Sequence, residues 1–211
     1  MIDQQTFIDL NIIPGNTSGL SLKAKLDHCQ TKGGKEYLDD LLQLRQVTYP
    51  EIMERQQSVR FITTQLERWR MPVQEEDVFY VTQYLRSTYI PLSGKNRVKK
   101  ALLSLKRFAF NKEQYYFTLS GLKVTLRTLQ EIVLLCRTVF DPAMPASLKE
   151  KLVEVQETVA SLGIGERTFN IFLHEEPDPV AVFKLDSGLR VQHQEKINSM
   201  LAVYYQLEAY Y

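Results

Sequence analysis

Between Tyr115 and Phe140 the apolar residues Tyr115, Leu119, Leu122, Leu126, Leu129, Val133, Cys136 and Phe140 alternate steps of four and three without exception. That spacing keeps one stripe on one side of an α-helix, as in the seam of a coiled coil. At about 1.5 Å rise per residue the run predicts a rod of about 40 Å. Gly121 weakens it locally by about 1 kcal/mol. A rod of this length is built to connect distant parts of a molecule, and it commits the chain to helical packing.

The same period returns elsewhere. Val98, Leu102, Leu105 and Ala109 are helix-spaced, as are Leu148, Leu152, Val155, Val159 and Leu162, and finally His193, Ile197, Met200, Tyr204, Leu207 and Tyr211. Start signals precede several of these runs. Thr48 with Glu51 makes a capping box, Pro50 sits in the first turn, and Ile52, Val59, Ile62 and Leu66 mark the face that follows. Ser147 with Glu150 makes a second box. Glu75, Glu76 and Asp77 complement the positive end of a helix running from about Gln74 to Ser87. Nearer the N-terminus Leu22 and Leu26 share a face, and Thr31 caps a helix carrying Tyr37, Leu38, Leu41 and Leu42.

Residues 1–14 read as an extended lead-in ending at Pro14-Gly15, and Asn16 to Gly19 as a turn. Pro91 and Gly94 mark a loop, Asp141-Pro142 and Pro145 stop the rod, and Gly163 and Gly165 close the next helix. The acidic stretch Glu175-Glu176-Pro177-Asp178-Pro179 belongs at the surface. With nine glycines and eight prolines in 211 residues, turns are few and elements long. The expected fold is an all-α multihelical bundle with long lever-type helices and a short extended N-terminal lead-in. It forms a single domain over 1–211, divisible into sub-bundles of about 1–92 and 93–211. The last stripe is still running at Tyr211, so the chain is expected to be a fragment cut in or at the end of a helix.

Charge narrows the function classes. Twenty-six Lys and Arg against 25 Asp and Glu give a net charge of +1, so no global field draws in nucleic acid or an anionic membrane. Cys29 and Cys136 stand far apart without a CxxC pair and read as reduced core thiols. No basic-then-apolar leader and no apolar run of about 20 residues is present. The expected location is the cytoplasm, and the Asn16-Thr17-Ser18 sequon is then only a loop.

Catalytic constellations are sought without success. Gly33-Gly34-Lys35 and Gly94-Lys95 lack the upstream glycine and trailing hydroxyl of a phosphate loop. His28, His174 and His193 are scattered, with no carboxylate at zinc-ligand spacing. Asp39-Asp40 and Glu75-Glu76 sit in polar contexts without apolar walls to raise a pKa. The expectation for this chain is no enzyme, no cofactor and no metal site.

One segment is strongly cationic. Between Asp77 and Glu113 no acidic residue occurs, yet Arg86, Lys95, Arg97, Lys99, Lys100, Lys106, Arg107 and Lys112 do. Interleaved with Tyr84, Tyr89, Phe108 and Phe110, they offer a nucleic-acid contact through Arg97, Lys99, Lys100, Lys106 and Arg107. Pairing of the same face with the chain's own acids, for example Glu175 to Asp178, is the other reading.

The order Ser21-Leu22, Leu26-Asp27, Thr31-Lys32-Gly33-Gly34, Leu38, Leu42 and Arg55-Gln56-Gln57, followed by Val59 and Ile62, resembles the start of the lever or core domain (domain III) of the MutS family of DNA mismatch-repair ATPases. The spacing matches without a gap. Asp186 to Tyr211, with Arg190, Ile197 and Tyr204, resembles the long helix that returns from the lever to the ATPase domain. The chain departs from the family at Glu36, Leu41 and Arg45, where Arg, Trp and Pro are common, and no clamp-like β segment is evident.

The resemblance implies a non-catalytic lever that couples nucleotide state to DNA. An ATPase domain using ATP and Mg is expected beyond Tyr211, making the full-length protein a DNA-dependent ATPase. It would bind double-stranded or branched DNA and form a homodimer through that missing domain. The motif residues Leu26, Asp27, Thr31, Gly34, Leu38, Arg55 and Gln56 are expected to be structural. Thr31 caps a helix, Gly34 lets helices approach, and Arg55 with Gln56 bonds buried backbone at the bundle junction. The alternatives are direct contact of these residues with DNA or nucleotide, and a helical protein-interaction module unrelated to DNA.

Overall fold

The computed structural model describes Ile12 and residues 21–43, 48–89, 91 and 97–211, with side chains in the last stretch described from Ala101 onward. The expected lead-in over 1–14 apart from Ile12, the turn at Asn16 to Gly19, and Gly94 lie outside the described residues.

Ten α-helices and no strand are found among the described residues. In chain order they are α1 (Leu22–Leu26), α2 (Lys32–Leu42), α3 (Tyr49–Thr63), α4 (Glu75–Leu85), α5 (Arg97–Phe110), α6 (Lys112–Val139), α7 (Ala146–Ser161), α8 (Glu166–His174), α9 (Pro179–Ser187) and α10 (Gln194–Tyr210). The protein is an all-α multihelical bundle. Among the described residues no helix is long and apolar enough to cross a membrane.

The rod is α6, and its 28 residues make it about 42 Å long. It is the axis around which α4, α5, α7, α8 and α9 pack, while α10 lies against α2, α3 and α7. Leu122, Leu126, Leu129 and Cys136 of the stripe are buried, but so are Thr118, Gly121, Thr125, Ile132 and Leu135. Helix α6 therefore buries a broad face inside its own chain. One hydrophobic cluster runs from Ile62 to Tyr210, with Trp69, Tyr84, Tyr204 and Phe183 as its largest fully buried aromatics.

Caps follow local chemistry. Ser21, Thr31, Asn111 and Asp178 accept first-turn backbone N–H groups of α1, α2, α6 and α9. The Glu51 carboxylate accepts from both the N–H and the hydroxyl of Thr48, and those two bonds hold it below the usual carboxylate range.

Four local expectations are corrected. Helix α7 starts at Ala146, capped by Pro145 rather than Ser147. The extended backbone of Pro145 already presents its carbonyl to the N–H of Lys149, and Ser147 Oγ instead lies 3.5 Å from Ser58 Oγ. On α3 the inward residues are Ser58 and Ile62, with Val59 exposed, and Leu66 is exposed because the helix ends at Thr63 and a 3-10 turn carries it away. On α1, Leu22 and Leu26 share a face, but it is exposed. The return helix is broken: α9 passes through a π-helical turn over Gly188–Gln192 before α10 begins.

Candidate functional site

Two buried polar junctions tie segments distant in sequence. The first joins the Thr31–Gly34 motif to the last helix. Thr31 is buried at the start of α2, and its hydroxyl accepts from Gly34 N–H at 3.0 Å. The same hydroxyl donates to Glu208 Oε2 of α10 at 2.5 Å. Glu208 Oε1 accepts from the backbone N–H groups of Gln30 at 2.6 Å and Thr31 at 3.0 Å. Donors that α2 cannot satisfy within itself are thus met by a carboxylate 177 residues away.

Glycine makes the approach possible. A Cβ on Gly34 would lie 2.1 Å from Glu208 Oε2, and one on Gly33 would lie 2.4 Å from the Tyr205 ring. This gives physical content to a Gly-Gly pair inside a helix, where it otherwise costs stability. Burial pushes the Glu208 carboxyl above its ordinary value, and its three donors pull the other way without cancelling the effect.

The second junction lies at the break between α9 and α10. Tyr84 of α4 donates its hydroxyl to Asp186 Oδ1 at 2.9 Å. Arg190 pairs with the same oxygen at 3.4 Å and donates to the carbonyls of Ser87 at 2.5 Å and Tyr89 at 2.7 Å. Asp186 and Arg190 are both buried, and the π-helical turn carries the guanidinium to those carbonyls. Burial raises the Asp186 carboxyl, and burial followed by the Asp186 charge raises the Tyr84 phenol. Gly121 of the rod faces this junction, where a Cβ would meet the Tyr84 ring at 2.3 Å.

The other motif residues divide. Leu38 is buried, while Asp27 terminates α1 and accepts from Cys29 N–H at 3.1 Å. Arg55 is half-buried; Lys151 is held below its ordinary value chiefly by burial, with the Arg55 charge a lesser contribution in the same direction. Gln56 is exposed on α3, which corrects the expected bond to buried backbone: it stands on the outer side of the helix. Leu26 is likewise exposed. Sequence reasoning missed Glu208 and Tyr205, and it placed Tyr84 among the aromatics of a nucleic-acid face, whereas Tyr84 is buried with its hydroxyl on Asp186. Glu208 did leave a signal, since it falls four residues after Tyr204 and so lands on the apolar stripe of α10.

The cationic candidates fall on α5. Arg97, Lys99 and Lys100 are in its first turn, with their side chains outside the described residues. Lys106 is exposed. Arg107 is half-buried, its guanidinium 5.9 Å from the centroid of Phe183 on α9. The expected apolar face of α5 is corrected at Leu102, which is 70% exposed, and at Leu105, also exposed, while Phe110, one of the aromatics interleaved with the basic residues, is 84% exposed. Among the described side chains of α5, Ser104 is the buried one, and a small side chain there lets α5 lie close against α6 and α9.

Cys29 and Cys136 are free, buried thiols, both pushed up to about 12 chiefly by burial. That chemistry is inert at neutral pH. Among the described residues no group of three His, Cys, Asp or Glu is arranged to hold a metal ion. Comparison of the chain with family models, curated proteins and solved structures returns no match.

Proposed function

We propose that this chain is the non-catalytic lever/core region of a MutS-like DNA-repair ATPase, coupling the ATP state of a C-terminal ATPase domain to DNA or partner binding. The observation that carries the reading is the Glu208 clamp. Thr31 and Gly34, two residues of the motif, are fastened to the last helix, so that α2 and α10 move as one stiff body. A lever needs such fastening, because displacement at one end reaches the other only through elements that do not slip. The buried rod α6 and the Asp186–Arg190–Tyr84 junction stiffen the remainder. ATP and Mg belong to the ATPase domain expected beyond Tyr211, as does the homodimer contact.

DNA binding tests this reading. Affinity for double-stranded and branched DNA is measured against salt for the unaltered chain and for Lys99→Glu/Lys100→Glu/Lys106→Glu. The expected result is salt-sensitive binding whose log–log slope falls by about one for each phosphate that the variant no longer neutralises. Absence of salt-sensitive binding, or an unchanged slope, rejects the DNA contact.

A helical interaction module without a DNA role is the second reading. The exposed Leu102, Leu105 and Phe110 favour it, since apolar groups clustered on a surface mark places where partners dock.

A further inference from the structure

Helix α4 turns its acidic, aromatic side outward. Glu75, Glu76, Phe79 and Tyr80 line a cavity of about 420 Å³, with Phe79 53% and Tyr80 59% exposed. The two rings meet edge to face at 5.8 Å. Glu75 is partly engaged, accepting from Lys32 N–H at 2.5 Å, while Glu76 is exposed. Carboxylates beside half-exposed rings form a receptor for a cation, which gains both an ion pair and attraction to the ring quadrupole.

The complementary surface is on the same chain. Helix α5 presents Lys106 between the exposed side chains of Leu102, Leu105 and Phe110, within the one stretch of sequence that holds no acid from Asp77 to Glu113. One face thus offers acids with rings, and the other offers a cation with leucines and a ring.

We propose that the occupant of the α4 face is α5 of a second copy of this chain, with Lys106 seated between Glu76 and the rings of Phe79 and Tyr80. The charges oppose one another and the apolar groups cover one another, so a single docking satisfies both exposed faces. The seam is small. The 11 residues of α4 and 14 of α5 span about 16 and 21 Å, which places one seam in the class of weak, transient interfaces. Each copy carries both faces, so the contact is heterologous: it closes into a ring where the rotation allows and otherwise continues from copy to copy.

Sedimentation equilibrium over a range of protein and salt concentrations tests the proposal, with no DNA present, so that its result is separate from that of the lever reading. The expected result is an average mass that rises with protein and falls with salt. Glu76→Lys and Lys106→Glu each weaken association by about tenfold, while the two changes combined in one chain, or an equal mixture of the single variants, restore it. Glu76→Gln, which avoids a lysine in the first turn of α4, weakens association less than Glu76→Lys does. All sites are exposed, and circular dichroism checks that each variant is folded. A monomer at every concentration, single variants that associate as before, or failure of the combined changes to restore association overturns the proposal.

Discussion

Helices α5 and α6 carry the same kind of apolar pattern and treat it oppositely. In α6 the four-three stripe is buried at Leu122, Leu126, Leu129 and Cys136, whereas in α5 Leu102 and Leu105 face outward and Ser104 faces inward. Periodicity therefore identifies a helix and one of its faces, but which face is buried depends on what lies beside it. Helix α6 is surrounded by α4, α5, α7, α8 and α9. Helix α5 lies at the edge and meets α9 through Arg107 over Phe183.

The sharpest way to break this contrast is truncation of the buried stripe. Leu126→Ala should cost about 2 to 5 kcal/mol, through forfeited transfer energy and the cavity left behind, read as a fall in the chemical denaturation midpoint. An unmoved midpoint would mean that α6 is not the core of this bundle.

Gly121→Ala tests the same helix by sign. On an exposed helix that change stabilises by up to about 1 kcal/mol. Here the new Cβ collides with Tyr84 at 2.3 Å and forces it away from Asp186, so a net loss of about 1 to 3 kcal/mol is expected. Stabilisation would show that α4 stands clear of α6.

The buried acids give a pH dependence. Burial raises both Glu208 and Asp186 in the folded chain above their ordinary values of 4.5 and 3.8. The unfolded chain therefore releases these protons first. Their contribution to stability is full below the ordinary values and is lost as pH rises through the higher folded ones. Denaturation midpoints should fall across that window, and Glu208→Gln should make the fall shallower. An identical pH profile in that variant would remove Glu208 from the account.

The smallest effect belongs to α5. Leu102→Ser should leave stability within about 0.5 kcal/mol, because the side chain is already in water. A large loss in thermal or chemical denaturation would place the α5 stripe in the core after all.

Much of the bundle was legible in sequence, because caps and stripes are local signals. Thr31, the Thr48–Glu51 box, the course of α4 and the stop of α6 before Asp141-Pro142 follow from residues within one turn of each other, while the Asn111 cap that starts α6 was not read. Expectations went astray where the cause was not local. Ser147 reads as a cap, but Pro145 holds the position, and Asp186 to Tyr211 reads as one helix, but a π-helical turn breaks it where Arg190 reaches the carbonyls of Ser87 and Tyr89. Of the two polar junctions, the Thr31–Gly34 half of the first was visible and the Glu208 half was not. A carboxylate on an apolar stripe can be assigned only when its distant donors are known, and these lie 177 residues away.

The claim on which the lever reading rests is that Thr31 and Glu208 act as one fastening. A double-mutant cycle with Thr31→Val, Glu208→Gln and their combination, followed by chemical denaturation, measures it directly. The account predicts a coupling of about 1 to 3 kcal/mol, the range of a hydrogen bond to a charged group. Losses that add to within about 0.5 kcal/mol would mean that the two residues are stabilised separately, and would contradict the rigid link between the motif and the last helix.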